Sequence, residues 1–341
     1  CLGGEGYIDN FMARACEAEH VCWSSEWKEW HFFRSPDETP TPLLYDDGGV
    51  ITDFPAEFAG TTPFTHYTIP WTSTVVHGAV PPEAVYLESP LVVFHQLNHV
   101  HNFGHYLLDN MLPIYLLVSL FNVTVDSNDI QIISELADTY AKMGQKFDRE
   151  LLPGVSRHLP RFTWSDPLFN QHSLVCARRM LLGTGWYSYS RRSGPLLEIN
   201  MFRDSVLRNL GLLCTALPQR HLVLIHEKVK LGTQEIRGIS NIPELAECLR
   251  LTFPSVEVKV VRLDNSTTIS EQVQLLRRAT VFITPPGGGS FIGMFLPPSA
   301  TAVVLDHWLP PLAPPPVGAS RRHSGDSKMW TSLRHLNVVH F

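Results

Sequence analysis

The chain has 341 residues, 44% of them hydrophobic and 18% charged, the composition of a folded globular protein rather than a disordered one. Net charge is −6, the pI is near 6.2, and there is no dense Lys/Arg cluster, which argues against a nucleic-acid or anionic-membrane surface. The longest apolar run, 107–121, carries Asp109, Asn110 and Pro113 and is shorter than the roughly 20 residues a bilayer span needs.

Residues 1–88, rich in aromatics, Pro and Thr, show few periodic runs and read as an irregular N-terminal segment packed on the first domain. "LVVFHQ" after position 90 has the pattern of a short buried strand, and 101–120 that of a helix. "DIQIIS" (129–134) predicts a strand, followed by a helical stretch near 135–143. "SLVCARRMLLG" (173–183) predicts another strand, and 198–212 a helix ending at Gly211. The second half is more regular. Strands are expected at 221–227, 256–263, 280–284 and 301–306, with a last one in "HLNVVHF". A helix starts at Asn241, Pro243 and Glu244, and Thr268 or Ser270 can cap the next. Strands alternating with helices at this spacing imply an α/β fold with a parallel, doubly wound sheet, which binds ligands at the carboxyl ends of its strands. The Pro-rich "LPPLAPPPVGAS" reads as a surface connection.

Six cysteines, Cys1, Cys16, Cys22, Cys176, Cys214 and Cys248, contain no CxxC pair, which disfavours a structural zinc site. The even count permits three disulfides, with Cys16 and Cys22 the most local candidate pair. Two glycosylation acceptor sequences, at Asn122 and Asn265, point the same way, toward the secretory pathway. The chain opens at Cys1 without a signal-like segment, as expected of a lumenal fragment whose targeting region lies outside it.

Chemistry concentrates in three places. In "HVHNFGHYLLDN" (99–110), His101, His105 and Asp109 are spaced i, i+4, i+8, on one face of a helix. A histidine near a helix start is held neutral by the macrodipole and can serve as a base, although an aspartate that merely orients a buried histidine has the same pattern. A metal set of His95, His99, His101 and His105 matches no zinc signature. "PPGGGS" (285–290) places three glycines after a strand and before a helix, where backbone N–H groups can hold phosphate, though Gly-Gly-Gly is also an ordinary tight turn. "HEKVKLGTQEIRGISN" (226–241) brings Lys228, Lys230 and Arg237 after a strand, either toward that crevice or into a solvated loop.

In this order the segments resemble family 61 glycosyltransferases. That family includes plant N-glycan β-1,2-xylosyltransferases and animal protein O-linked N-acetylglucosaminyltransferases. "HNFGHYLLDNMLP" looks like its HN-x-x-H-x-x-x-D motif, and the likeness runs on through "LVCARRMLLGTG", "LVLIHEK", "IRGISNIPEL" and "ISEQVQLLRRATVFITPPGGGSFIGMFLPPSATAVVLD". It covers about 89–306. Two positions depart: Pro286 stands where the family has the histidine of His-Gly-Ala-Gly, and His226-Glu227-Lys228 stands where it has an arginine. The resemblance implies a GT-B-like architecture, two Rossmann-like domains (89–213 on the acceptor side, 214–341 for the nucleotide sugar) facing a cleft. It implies an inverting transfer from a nucleotide-diphosphate sugar, UDP-linked, to a glycan or glycoprotein hydroxyl in the Golgi or endoplasmic reticulum, by a type II membrane protein anchored through a segment N-terminal to this one. His105 and Asp109, with His101 nearby, would supply the base. Lys228, Arg237, Gln272, Gly287, Gly288, Gly289 and Ser290 would hold the donor. No Asp-x-Asp motif is present, so no metal or other cofactor is expected. The alternatives are a sugar-binding pseudoenzyme, favoured by Pro286, and a metal-assisted hydrolase built on the histidines.

Overall fold

The computed structural model describes residues 15–34, 73–94, 100, 102–121, 123, 129–134, 145–183, 197–214, 218–228, 238–263, 267–305, 330 and 333–340. The helical stretch expected near 135–143, His101, Arg237, both glycosylation acceptors and the Pro-rich connection lie outside these residues. Two compact units divide the chain. Unit 1 is Cys1–His101 with His105–Ser188, and unit 2 is Asn102–Gly104 with Tyr189–Phe341.

Unit 1 carries an eight-stranded mixed sheet. Its strands are β1 (Ala15–Ser24), β2 (Glu29–Arg34), β3 (Ser73–His77), β4 (Val85–Tyr86), β5 (Leu91–Phe94), β6 (Ile130–Ser134), β7 (Arg161–Phe162) and β8 (Leu174–Gly183). The order is β3-β2-β1-β8-β5-β6-β7, with β4 beside β8. β1 runs antiparallel to β2 and β8, while β2–β3, β4–β8, β5–β8, β5–β6 and β6–β7 are parallel pairs. The expectation of an irregular 1–88 is therefore corrected where the chain is described: this segment builds one side of the sheet. β1 sits between two strands, and its consecutive Val21, Cys22 and Trp23 are all buried, so it shows no alternation to read. The β1–β2 turn has no glycine or asparagine to announce it, and Lys28 takes the left-handed φ of +55° instead. Trp23 and Trp30 meet edge to face at 5.4 Å, packed with Val21, Val92, Ile133 and Met180.

The expected Cys16–Cys22 bridge is corrected as well. Both lie on β1, and six residues of extended strand separate them by about 20 Å, beyond disulfide reach. Cys22 stands opposite Cys176 of β8 in the register and is bonded to it. Cys214 and Cys248 are free thiols.

The 101–120 helix also departs from expectation. A π-helix spans His105–Met111, and only Leu112–Leu120 (α1) is α-helical beyond it. The Asn110 side chain, fully buried, donates from Nδ2 to the His105 carbonyl at 2.7 Å and so reinforces the i→i+5 closure. Pro113, at the first turn of α1, has no N–H to return to the preceding turn. Tyr106 anchors the segment, donating its hydroxyl to Asp148 Oδ1 at 2.8 Å from a fully buried ring. Asp148 belongs to α2 (Gln145–Asp148), and α3 (Pro167–Gln171) leads into β8.

Unit 2 is the doubly wound half. Its strands β9 (Leu222–His226), β10 (Glu257–Val261), β11 (Val281–Thr284), β12 (Thr301–Val304) and β13 (Asn337–His340) are all parallel, in the order β10-β9-β11-β12-β13. Its helices are α4 (Leu197–Asn209), α5 (Ile242–Thr252) and α6 (Ile269–Leu276), and a 3₁₀ helix spans Gly288–Phe295. Thr268 and Glu271 form the capping box of α6, with Thr268 Oγ1 accepting from Glu271 N at 3.1 Å and Glu271 accepting from Thr268 N at 2.8 Å. Asn241 precedes α5 without a side-chain cap bond. Ile225 and Ile283 pack with Ile242, Ala246 and Val258 under α5. The 3₁₀ helix is held at its C-terminal end. Arg277 Nη1 donates to Leu296 O at 3.5 Å, and His335 Nε2 donates to Met294 O at 3.0 Å.

Candidate functional site

In the strand order of unit 2, the chain steps one way from β9 to β10 and the other way from β11 to β12. That reversal is the topological switch point, and the carboxyl ends of β9 and β11 flank the crevice where such sheets take ligands. β9 ends in His226, with Lys228 two residues on. β11 ends in Thr284, followed by Pro285, Pro286 and the glycines.

The turn is tied down through its carbonyls. Thr284 Oγ1 donates to Pro285 O at 3.0 Å, Lys228 Nζ to Pro286 O at 3.1 Å, and Ser290 N to Gly287 O at 2.9 Å, where the Ser290 hydroxyl also bonds. The N–H groups of Gly287, Gly288 and Gly289 have no acceptor among the described residues. Consecutive N–H groups at the start of a helix are donors of the kind that can hold an anion, and the Lys228 ammonium is fixed beside them. Gly287 has φ +126° and ψ 170°, a conformation open only to glycine, and a Cβ there would strike the Lys228 ammonium.

His226 forms the floor. It is 3% exposed, stacked on Phe282 with ring centroids 6.0 Å apart, and its Nδ1 lies 2.9 Å from Thr284 Oγ1. Because the Thr284 hydrogen goes to Pro285 O, Thr284 Oγ1 accepts from His226 Nδ1–H, leaving a lone pair on Nε2. Burial first, and then the Lys228 charge, lower its pKa from 6.5 to about 4. His335 is lowered to about 3, by burial first and then by the Arg203 charge. Both histidines stay neutral in the fold, while the unfolded chain binds protons below about 6.5. Stability is therefore complete above that pH and lost as pH falls toward 4, His226 alone contributing a slope of about 1.4 kcal/mol per pH unit. Urea midpoints at pH 7.5, 6 and 5 should decline accordingly. A flat profile would mean that these rings are accessible to protons.

The first turn of the histidine-rich motif supports the glycines. Asn102 Oδ1 accepts from Gly104 N at 3.0 Å, capping the segment, and lies where any Gly288 side chain would go. A Cβ on Gly104 would sit 2.6 Å from Gly288 Cα and 2.9 Å from Gly288 O. Backbone meets backbone here, so Gly104→Ala should displace the turn, costing about 1–3 kcal/mol of stability and weakening anion binding. Wild-type values for both, from thermal unfolding and calorimetry, would show that the contact yields freely.

Of the residues read from the sequence, Lys228, Gly287, Gly288, Gly289 and Ser290 come together. Gln272 is buried in α6, where its Nε2 donates to Thr267 O at 3.2 Å. His105 begins the π-helix in unit 1. Asp109 lies within it, its side chain outside the described residues, as are His101 and Arg237 altogether. His226 was read as the end of a strand and, with Glu227 and Lys228, as standing in place of an arginine of the resembled family, with no role of its own. A polar residue closing an otherwise apolar strand at its carboxyl end was the available signal. Among the described residues no group of three His, Cys, Asp or Glu could hold a metal, and no helix is long and apolar enough to cross a membrane.

A family model described as Glycosyltransferase 61 matches residues 64–304, more than half of the chain. No curated protein matches it.

Proposed function

The chain belongs to glycosyltransferase family 61, and from that premise we propose that it moves a sugar from a UDP-linked donor to a hydroxyl of a glycan or glycoprotein, with inversion and without a metal. The observation that carries the reading is the row of Gly287, Gly288 and Gly289 N–H groups at the switch point, beside Lys228. In the transfer, the acceptor oxygen bonds to the anomeric carbon, the bond from that carbon to the diphosphate oxygen breaks, and the acceptor proton passes to a base. The departing diphosphate gathers charge, which the N–H row, Ser290 and Lys228 neutralise, with Arg237 as the further cation. The base is assigned to His105 with Asp109 and His101, on the motif match. Two parallel-rich sheets agree with a GT-B-type enzyme. The Cys22–Cys176 bridge fits an oxidising compartment, the Golgi or endoplasmic reticulum lumen.

A panel of nucleotide sugars read by thermal shift tests the donor, because a ligand bound only by the folded state raises the melting temperature. Turnover of the selected donor should survive dialysis against EDTA. If chelation abolishes it and Mn²⁺ or Zn²⁺ restores it, the metal-free mechanism is wrong. Pro286, in place of the family's histidine, favours a second reading, a pseudoenzyme that binds a nucleotide sugar without transferring it. Binding without turnover would establish that one.

A further inference from the structure

The N–H row accounts for a diphosphate but leaves the floor of the switch point unexplained. His226 presents its far edge to the turn: a Cβ on Gly289 would lie 3.5 Å from His226 Cε1 and 4.0 Å from Nε2, ordinary contact distances, and glycine leaves that edge uncovered. The other edge is committed. Nδ1–H bonds to Thr284 Oγ1, whose own hydrogen is held by Pro285 O, so Nε2 is the lone-pair nitrogen and has no partner among the described residues.

We propose that His226 Nε2 accepts a hydrogen bond from a hydroxyl carried within one sugar ring of the bound diphosphate, making His226 a specificity-determining residue for a complete nucleotide sugar over a bare phosphate or diphosphate. This rests on the diphosphate reading of the turn. The diphosphate of a nucleotide sugar is a fully ionised diester whose oxygens carry only lone pairs, so it cannot bond to Nε2 while that nitrogen is unprotonated, and burial with the neighbouring Lys228 charge keeps it so. The ring therefore asks for an O–H beside an anion. A nucleotide sugar offers one on either flank of its diphosphate, from the ribose or from the transferred sugar. The relay Pro285 O, Thr284 Oγ1, His226 Nδ1 fixes the tautomer from the same turn that supplies the N–H row, so anion and hydroxyl are read by one rigid piece of backbone.

The test is calorimetry of inorganic pyrophosphate, UDP and UDP-glucose against wild type and His226→Asn, whose amide keeps an N–H toward Thr284 but has nothing at Nε2. Pyrophosphate affinity should stay within about twofold, while a ligand with the recognised hydroxyl should weaken by about tenfold, the scale of one hydrogen bond. A loss already seen with UDP places the hydroxyl on the ribose, and a loss confined to UDP-glucose places it on the transferred sugar. Equal changes for all three ligands, or none, overturn the proposal. Should His226→Asn fail to fold, His226→Phe keeps a ring stacked on Phe282 but has no lone-pair nitrogen, and the same split between pyrophosphate and the hydroxyl-bearing ligands is required of it. Wild-type binding of pyrophosphate but of neither nucleotide also overturns it, whereas wild type binding none of the three removes the diphosphate reading itself.

Discussion

Replacing Cys22 and Cys176 together by alanine is expected to lower the folding free energy by about 5 kcal/mol, the loop-closure value for cysteines 154 residues apart. The bridge joins β1 to β8 in register, and both residues are fully buried, so the alanine variant, unlike the reduced chain, also loses packed volume between central strands. β8 in turn pairs with β5, Val92 opposite Met180, and β5 is the strand that leads toward the π-helix. The measurement is equilibrium urea unfolding of the double variant and of wild type with and without reductant. A difference below about 1 kcal/mol would show that the unfolded chain is already compact enough to need no tether. A large difference would place loss of this bridge among the routes by which unit 1 unfolds, without any change at the glycine turn of unit 2.

The sequence disclosed unit 2 far better than unit 1, for physical reasons. In unit 2, α6 begins with local chemistry, Thr268 and Glu271 of the capping box, and β9 and β11 are short apolar runs. Its parallel ladder needs no partner from distant sequence to be anticipated. β1 and β2 gave no such signal, because Val21, Cys22 and Trp23 are buried in succession and their turn uses Lys28 at a left-handed φ. The disulfide partner of Cys22 follows from a β1–β8 register that no local pattern encodes. The motif at 99–110 was legible as a cluster but not as two parts. Asn102 and Gly104 shape the glycine turn of unit 2, while His105 opens a π-helix in unit 1 whose widened turn depends on the Asn110 side chain. That Gly104 must be a glycine because of Gly288 is a tertiary fact, invisible at either position alone.

Lys228→Met should reduce transfer by about 10²- to 10³-fold, the usual effect of removing one stabiliser of developing negative charge. The side chain stays long and apolar along its stem, so the packing of the turn is kept while the ammonium and its bond to Pro286 O are lost. Because leaving-group charge is greatest in the transition state, kcat should fall more than KM rises. Lys228→Arg should not rescue, since the ammonium already occupies the space where a Gly287 side chain would be, and a guanidinium is larger. A second readout separates the charge from the fold. Lys228 is one of the two causes that lower the His226 pKa, so in Lys228→Met that pKa should rise from about 4 while staying below 6.5, where burial alone still holds it. An imidazole titration followed by NMR would show the shift in a variant whose melting temperature is otherwise near wild type. If kcat is unchanged and only the melting temperature moves, Lys228 is a strut for the glycine turn, and the proposed stabilisation of the leaving diphosphate falls to the N–H row, Ser290 and Arg237.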